Sequence, residues 1–443
     1  MPRRTVRAAR IASERPPFGG PLDGLCIIGA ATGGYIWRGP DICLPAPELP
    51  AIEPQLTTFH VNARLRHILG LGPNDWDGPW MNRQQILSRL ARRHTVLYTT
   101  GLRSARDRES PPDRAAAFGR FERRDGVLVD RPPGLLRRTR SVPPLDRAIV
   151  RLAVRRWSRR LAQEGPAGLI AYAFHPKFWP FIEALNPARL VYHAYDLVPP
   201  GTEQHAGRAH LTALLRSADL VLASSDVVRA ELLTAGARAV TVLANAVDYD
   251  AFSRVPEGPD PADLAPIPHP RIGYTGRLTR KVDFPLIVGL AGRRPDWQFV
   301  LIGQEAMLDD VTRHALQRAR SMSNIHLLGH KSVADLPAYV ARMDVNLMCY
   351  RLERELWTEG IFPLKLFEYL ASGQPVVSAD VPSVRAYAGV VAIARRGEDW
   401  EPFIARALRS GEPGTHAARR ELARENTWDH RVARLEELLA GLV

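Results

Sequence analysis

Along most of the chain, short apolar runs alternate with segments whose apolar residues recur every three or four positions. In the first half, the apolar runs lie at 68–72, 96–98, 168–173, 190–194 and 220–223. Runs of this length predict buried strands, and the spacing between them is typical of amphipathic helices. Strands that alternate with helices predict a parallel sheet with right-handed crossovers.

The same alternation starts again at residue 271. Strands are predicted at 271–274, 299–303, 325–328, 345–348 and 376–379, with helices between them. The segment 254–270 is dense in proline, which is typical of an interdomain linker. The chain is therefore predicted to be an α/β protein with two Rossmann-like parallel-sheet domains, at 64–253 and 271–425, that face a cleft.

Two segments lack this pattern. Residues 1–63 are rich in proline, glycine and alanine, so we expect an N-terminal extension that is partly disordered, with one strand at 24–30. Residues 103–143 are basic and contain several prolines and glycines, and they are predicted to form a long loop or mobile subregion.

The formal charge of the 443-residue chain is +13, and arginine is concentrated between 103 and 160. A basic region of this kind favours a polyanion, an anionic membrane surface or an anionic acceptor. The chain has no zinc-finger or RNA-binding signature, so nucleic acid is not an expected partner. The helix predicted at 145–161 mixes apolar residues with arginine, and it fits either a membrane surface or a packed crossover helix.

The expected location is cytoplasmic, with peripheral association at the inner face of the plasma membrane. Cys26, Cys43 and Cys349 lie far apart without metal-ligand spacing, which indicates reduced thiols. No apolar run reaches the roughly 18 residues that a spanning helix needs.

The segment 355–380 carries the most informative chemistry. Pro363 suits a first helical turn, and Gly373 suits the cap that ends the helix. Lys365 and Glu368 are three residues apart and share one face near the helix start, where free N–H groups attract anions. This pattern predicts a seat for a sugar nucleotide, although a solvated Lys/Glu pair has the same spacing.

Further candidates follow other predicted strands. Gly276 and Arg277 follow the strand at 271–274, and His330 and Lys331 follow the strand at 325–328. Ligands of parallel sheets bind beyond the carboxyl ends of the strands. Glycine lets a phosphate approach the backbone, and arginine can bind it with two hydrogen bonds.

These motifs resemble those of the GT-B-fold nucleotide-sugar glycosyltransferases of the family-four type, that is, the group 1 glycosyltransferases and their membrane-polysaccharide relatives. The resemblance rests on YTGRLTRKVDF, NIHLLGHKSVADLPAYVARMDVNLMCY and PLKLFEYLASGQPVVSADVP in the second half, and on NDWDGPWMNRQQILSRLARRHTVLY, LVYHAYDL and ADLVLASSDVVRAEL in the first. It covers about residues 66–440, and it implies a final helix at 426–443 that crosses back to the first domain.

The resemblance also implies roles for the candidate residues. It assigns the donor diphosphate to Gly276, Arg277 and Lys365, together with Lys281 or Arg280. It assigns the ribose to Glu368 and the base to His330 and Lys331.

One position departs from the family pattern. Relatives have a second glutamate, which contacts the donor sugar, eight residues before the position of Glu368. Gly360 stands there, and Glu359 is the nearest acid. The departure puts a retaining mechanism in doubt. An inverting transfer needs a general base in the first domain, for which Asp196 and His175 are the candidates and His193 the third.

We therefore expect a glycosyltransferase that moves a sugar from a nucleotide-diphosphate sugar, such as a UDP-sugar, to a lipid-linked or polysaccharide acceptor. Cationic side chains and helix N–H groups can neutralise the leaving diphosphate, so neither a metal nor a cofactor is expected. A nucleotide-sugar 2-epimerase and a non-catalytic scaffold that binds nucleotide-sugar or polyanion are the alternatives.

Overall fold

The computed structural model of the protein describes residues 65–104, 119–196, 204–254, 257–353 and 358–442. The extension expected at 1–63, with its strand at 24–30, lies outside these residues. Residues 355–357 of the candidate segment also lie outside them.

The first half of the described chain forms a sheet flanked by helices. Its strands are β1 (Leu65–Leu71), β2 (Thr95–Thr99), β3 (Arg120–Arg124), β4 (Val127–Arg131), β5 (Gly168–Ala173), β6 (Arg189–Ala194), β7 (Leu220–Ala223) and β8 (Thr241–Val242). Its helices are α1 (Asn82–Leu90), α2 (Pro143–Ala162), α3 (Trp179–Leu185), α4 (Gln204–Ser217) and α5 (Asp226–Thr234). The strand order is β3-β4-β2-β1-β5-β6-β7-β8, and every pairing is parallel except that of β3 with β4.

The prediction of a loop through 103–143 is wrong for residues 120–131, which form an antiparallel hairpin. Asp125 and Gly126 join its two strands with φ angles of 48° and 80°. Two positive φ values in a two-residue loop match the right-handed twist of the flanking strands. The hairpin widens the sheet because β4 pairs with β2.

The second half forms another sheet. Its strands are β9 (Arg271–Thr275), β10 (Gln298–Ile302), β11 (Ile325–Gly329), β12 (Val345–Met348), β13 (Val376–Ala379) and β14 (Val391–Ala394). The helices from residue 249 onward are α6 (Tyr249–Ser253), α7 (Phe284–Arg293), α8 (Asp310–Ala319), α9 (Leu336–Val340), α10 (Lys365–Ser372), α11 (Trp400–Ser410), α12 (His416–Glu425) and α13 (Trp428–Ala440). The strand order is β11-β10-β9-β12-β13-β14, all parallel. The predicted α/β class with two parallel-sheet domains is thus confirmed.

Each sheet has a point where the chain order of the strands reverses. β1 lies between β2 and β5 in the first sheet, and β9 lies between β10 and β12 in the second. Parallel sheets bind ligands outside the carboxyl ends of their strands at such a point. The residues that follow β9 and β12, and those that follow β1 and β5, therefore occupy the positions best suited to a ligand.

The chain that leads into α10 is fastened to the first half of the protein. Ser225 Oγ donates a hydrogen bond to the Gly360 carbonyl at 2.8 Å, and Asn245 Nδ2 donates one to the Phe362 carbonyl at 2.6 Å. Leu364 packs against the core cluster of the first half. These contacts fix the start of α10 relative to the first sheet.

Two further segments join distant parts of the chain. Helix α13 buries Trp428 and Leu435 in the same cluster as Leu87 of α1. In the proline-rich segment, Leu264 and Ile267 are buried beside β10. Among the described residues, no helix is both long enough and apolar enough to cross a membrane.

Candidate functional site

Three neighbouring strands of the second sheet end in glycines whose backbones pack closely. Gly276, Gly303 and Gly329, at the ends of β9, β10 and β11, have φ angles of 132°, 151° and 67°. Side chains other than glycine's rarely adopt this region. A methyl group added at Gly303 would lie 2.0 Å from the Gly276 carbonyl oxygen. The turn after β9 therefore needs glycine at Gly303 because of the close backbone contact, and it favours glycine at Gly276 because of the φ angle.

Lys365 reaches this turn from the first residue of α10. A methyl group added at Gly276 would lie 2.8 Å from Lys365 Nζ, so the ammonium fills the space beside the glycine. The ammonium also lies 3.6 Å from the centre of the Tyr274 ring and 5.4 Å from that of Tyr350. These tyrosines flank the ends of β9 and β12, the two strands at the reversal point.

The Lys365 side chain is 8% exposed and forms no ion pair or hydrogen bond with any described residue. Burial lowers the pKa of Lys365 to about 7, although the neighbouring Cys349 and Glu368 act to raise it. A buried cation without a partner is costly. An anion bound beside Gly276 would supply a partner that none of the described residues provides.

Glu368 lies one turn further along α10 and is half-buried. Burial raises the pKa of Glu368 to about 7, and the charge on Lys365 opposes that shift. The two groups thus lie in one desolvated region, which a Lys/Glu pair on a solvated helix face would not show. A carboxyl group at this position can exchange hydrogen bonds with hydroxyl groups.

A second contact joins α10 to the end of β9. The Tyr369 hydroxyl accepts hydrogen bonds from the Thr275 backbone N–H at 2.8 Å and from Thr275 Oγ1 at 3.1 Å. Thr275 directly precedes Gly276, and Tyr369 directly follows Glu368. This pair fixes the distance between the glycine turn and the helix that carries Lys365.

Arg277 and Arg280 are exposed on the loop that follows β9, and Lys281 is half-buried there. The guanidinium of Arg277 forms no ion pair with a described residue. Arg351 ties this loop to the end of β12 by donating a hydrogen bond to the Arg280 carbonyl at 3.3 Å. The structure thus places Lys365 beside Gly276 at the end of β9, and Arg277 is the exposed residue that follows this glycine.

The other predicted donor contacts are more dispersed. His330 is exposed after β11, so that β10 separates its strand from β9. Lys331 forms an ion pair with Asp263 at 2.5 Å, which directs its ammonium toward the proline-rich segment. Glu359 is exposed in a short turn of helix at Thr358–Gly360.

His175 lies at the reversal point of the first sheet, just beyond β5. Its Nδ1 accepts a hydrogen bond from the Lys177 backbone N–H at 3.0 Å. In the neutral imidazole the proton therefore resides on Nε2. His175 is then suited to donate a hydrogen bond through Nε2 rather than to remove a proton there.

The other two candidate bases differ sharply in burial. Asp196 is exposed just after β6. His193 is fully buried, and its Nδ1 lies 2.9 Å from the Tyr172 hydroxyl and 3.1 Å from the Tyr195 hydroxyl. Burial lowers the pKa of His193 to about 3, so this residue is a neutral part of the core at physiological pH.

Sequence reasoning missed the residues that hold the site in place. Tyr274, Tyr350 and Tyr369 surround Lys365 or fix its helix, and Asn245 holds the loop that precedes it. Each of these contacts joins residues far apart in the chain. Among the residues that the structure describes, no group of three or more metal-ligating side chains is placed to hold a metal ion.

Comparison with known proteins connects this geometry to one family. Residues 269–410 match the family model described as "Glycosyl transferases group 1". The chain is 34% identical over 173 residues to TuaH of Bacillus subtilis (strain 168), a provisionally assigned teichuronic acid biosynthesis glycosyltransferase. The alignment covers 38% of this chain and 42% of TuaH, so it spans less than half the length of that relative.

Solved structures share the architecture over most of the described chain. Anabaena Alr3699/HepE in complex with UDP aligns with a TM-score of 0.60 at 16% identity, covering 85% of this chain and 100% of that one. Sucrose-phosphate synthase from Thermosynechococcus elongatus aligns with a TM-score of 0.62 at 14% identity, covering 86% and 99%. The fold of this protein is therefore the GT-B fold.

The two strand-end glycines should respond differently to alanine. We expect Gly276→Ala to fold with reduced stability, because its φ of 132° strains any side chain although the new methyl group meets the flexible end of Lys365. It should also lose at least about tenfold in affinity for UDP. Gly303→Ala should be strongly destabilised, because its methyl group meets a backbone carbonyl that cannot yield. Urea denaturation and calorimetric UDP titration measure the two effects. Equal UDP affinity of Gly276→Ala and the wild type would contradict the assignment.

Lys365 should reduce the stability of the ligand-free protein. The pKa of Lys365 is about 7 in the folded protein and about 10.4 in an unfolded chain. Protonation therefore lowers the free energy of unfolding as the pH falls below about 10, and the full reduction is reached below about pH 7. Lys365→Met should therefore raise the melting temperature near pH 6 by about 2–4 °C for each kcal/mol of penalty removed. The gain should shrink toward pH 10, and UDP should no longer stabilise the variant. Arg318→Met, which removes a charge of the same sign from an exposed position of α8, is the control. A Lys365→Met variant that melts below the wild type at every pH would refute the prediction.

Proposed function

We propose that this protein transfers a sugar from a nucleotide-diphosphate sugar to an acceptor hydroxyl group. The match of residues 269–410 to the group 1 glycosyl transferase model supports this class of reaction. The observation that carries the proposal is the unpaired ammonium of Lys365 beside the side-chain-free turn at Gly276. A diphosphate is the donor group that fits this position, because it brings negative charge and can approach the backbone closely.

In the proposed reaction, the bond between the anomeric carbon and the diphosphate oxygen breaks. The nucleoside diphosphate leaves with the electron pair, and the acceptor oxygen forms the new bond and loses its proton. Lys365 and Arg277, with the N–H groups at the start of α10, stabilise the charge that develops on the leaving group. Arg280 or Lys281 would add a second cation from the same loop.

The remaining donor contacts are proposed by position. Glu368 would bind the ribose hydroxyls, since it lies one turn from Lys365 on the same helix. The base would lie toward His330 at the end of β11. Lys331 would take part only if it exchanged Asp263 for the ligand. Glu359 would face the donor sugar in place of the glutamate that is absent at Gly360.

The acceptor would approach from the first sheet. His175 at the reversal point of that sheet could donate a hydrogen bond through Nε2 to a substrate oxygen. Asp196, exposed after β6, remains the candidate for the group that accepts the acceptor's proton. The donor is proposed to be a UDP-sugar, and the acceptor a lipid-linked saccharide or a polysaccharide. The similarity to TuaH, which is named for teichuronic acid biosynthesis, supports the polysaccharide acceptor. The UDP in the structure of Anabaena Alr3699/HepE supports the donor.

The exposed side of α2 supports a peripheral location at the inner face of the plasma membrane. Arg147, Arg151, Arg155 and Arg159 repeat every four residues, are exposed, and form no ion pair with a described residue. Like charges at this spacing destabilise a helix by about 0.2–0.5 kcal/mol per pair. An anionic lipid surface would relieve this repulsion, and Leu152 on the same side is 52% exposed.

A transfer assay tests the proposed activity. The wild type should release UDP from UDP-sugars slowly alone and faster with a membrane extract that supplies acceptors. Arg277→Ala should lower kcat/KM by about ten- to a hundredfold, because it removes a charged hydrogen bond worth about 1.5–3 kcal/mol. Arg318→Ala, at an exposed arginine of α8, is the control and should be silent. Sugar conversion without acceptor would indicate an epimerase instead, and UDP binding without turnover would indicate a scaffold.

Sedimentation with vesicles tests the membrane association. Binding to vesicles that contain phosphatidylglycerol should exceed binding to phosphatidylcholine vesicles and should fall as salt is added. Arg155→Gln/Arg159→Gln should weaken it by about thirtyfold, since each of the two arginines near an anionic surface contributes about 1 kcal/mol. Arg318→Gln/Arg409→Gln removes the same charge from helices of the second half and should change nothing. Indifference to lipid charge would count against peripheral association.

A further inference from the structure

A polar cavity opens in the first half of the protein, away from the donor position. Its volume is about 340 Å³, and its lining includes Thr100, which follows β2, and Pro132, which follows β4. These strands run parallel to β1 and β5, so the cavity lies at the same edge of the first sheet as His175. It is therefore on the side from which an acceptor would reach the donor.

The cavity is lined by five arginines and by four carboxylates, Asp75, Asp77, Glu122 and Asp130, and Arg131 forms ion pairs with both Asp77 and Glu122. Its lining includes Arg103, Arg120, Arg124, Arg131 and Arg137. Glu122 is shared by three of them, Arg120, Arg124 and Arg131. The buried carboxylate of Asp130 is already occupied, since it accepts hydrogen bonds from Thr99 at 2.9 Å and from Trp157 at 2.7 Å.

Two of the arginines have no counter-ion among the described residues. Arg103 is exposed and forms no ion pair with a described residue, and Arg137 donates to the Gly134 carbonyl at 3.2 Å but contacts no described carboxylate. Guanidinium groups that converge on a cavity without paired acids bind phosphate or carboxylate with two hydrogen bonds each. The cavity is thus suited to an anionic group.

An apolar groove of about 610 Å³ adjoins the cavity. Pro133 and Leu136 line both the cavity and the groove. Leu152 and Leu135 also line the groove, and Leu135 is 77% exposed, the largest exposure among the large apolar side chains of the described chain. Arg155 and Arg159 border it, and they belong to the unpaired row of α2.

From this juxtaposition we propose that the cavity and the groove together bind one amphiphilic acceptor, a saccharide joined through phosphate or diphosphate to a long hydrocarbon chain. The anionic linkage occupies the arginine-lined cavity, and the hydrocarbon lies along the groove toward the membrane surface. The inference rests on the proposed transferase function and names its acceptor class. A water-soluble polysaccharide would make no use of the apolar groove.

The test uses the full-length protein saturated with UDP, so that the donor seat is filled before any other diphosphate is added. Calorimetric titration then compares farnesyl diphosphate, inorganic pyrophosphate and farnesol. We expect farnesyl diphosphate to bind at least about tenfold more tightly than pyrophosphate, because its tail removes apolar surface from water. Farnesol alone should bind weakly, since the arginines add nothing to its affinity.

Two double variants separate the head from the tail. Arg103→Gln/Arg137→Gln should weaken farnesyl diphosphate and pyrophosphate alike, by about tenfold or more. Leu135→Ser/Leu152→Ser should weaken only farnesyl diphosphate. The matched controls are Arg318→Gln/Arg409→Gln and Leu233→Ser/Val333→Ser, which alter exposed arginines and exposed apolar residues elsewhere. UDP affinity should be unchanged in all four.

The outcomes distinguish this inference from the proposed function. If UDP binds but farnesyl diphosphate binds no better than pyrophosphate, or binds equally to both test variants, the acceptor inference is wrong and the transferase proposal stands. If UDP itself does not bind, the transferase proposal fails. Titration of farnesyl diphosphate without UDP then still reports whether the cavity and groove act together.

Discussion

The proposed site depends on the amino group of Lys365, which is buried away from water and has no counter-ion among the described residues. Lys365 lies against Tyr274 and Tyr350, beside a turn that has no side chain, and no described residue pairs with it. An arrangement of this kind costs stability. The cost is consistent with a ligand site, because the diphosphate of a bound ligand would pair with Lys365 and stabilise the folded protein.

The surrounding structure fixes the position of that ammonium. Tyr369 holds α10 to the end of β9, and Gly276 and Gly303 allow two strand ends to approach each other. Ser225 and Asn245 hold the preceding loop from the other half of the chain. The proposed donor position thus lies on one sheet and is held in place by contacts with the other half, so its geometry depends on how the two halves are placed.

Local patterns predicted the parts of this site that depend on neighbours in sequence. The spacing of Lys365 and Glu368 and the glycine cap at Gly373, with its φ of 81°, were readable because helix geometry is local. The Asp125-Gly126 turn was equally local but was missed, since the dense arginines of β3 hid its strand pattern. The ion pair of Lys331 with Asp263 and the cation–π contact of Lys365 with Tyr350 could not be predicted, because they join residues that only the tertiary fold brings together.

The most direct test of the account is the proton uptake that accompanies UDP binding at about pH 8, measured by calorimetry in buffers of different ionisation enthalpy. Free Lys365, with a pKa of about 7, is mostly neutral at this pH, and a bound diphosphate should raise its pKa and protonate it. The account predicts that roughly one proton is taken up for each UDP bound. This uptake should be lost in Lys365→Met. Binding without proton uptake, or the same uptake in the variant, would contradict it.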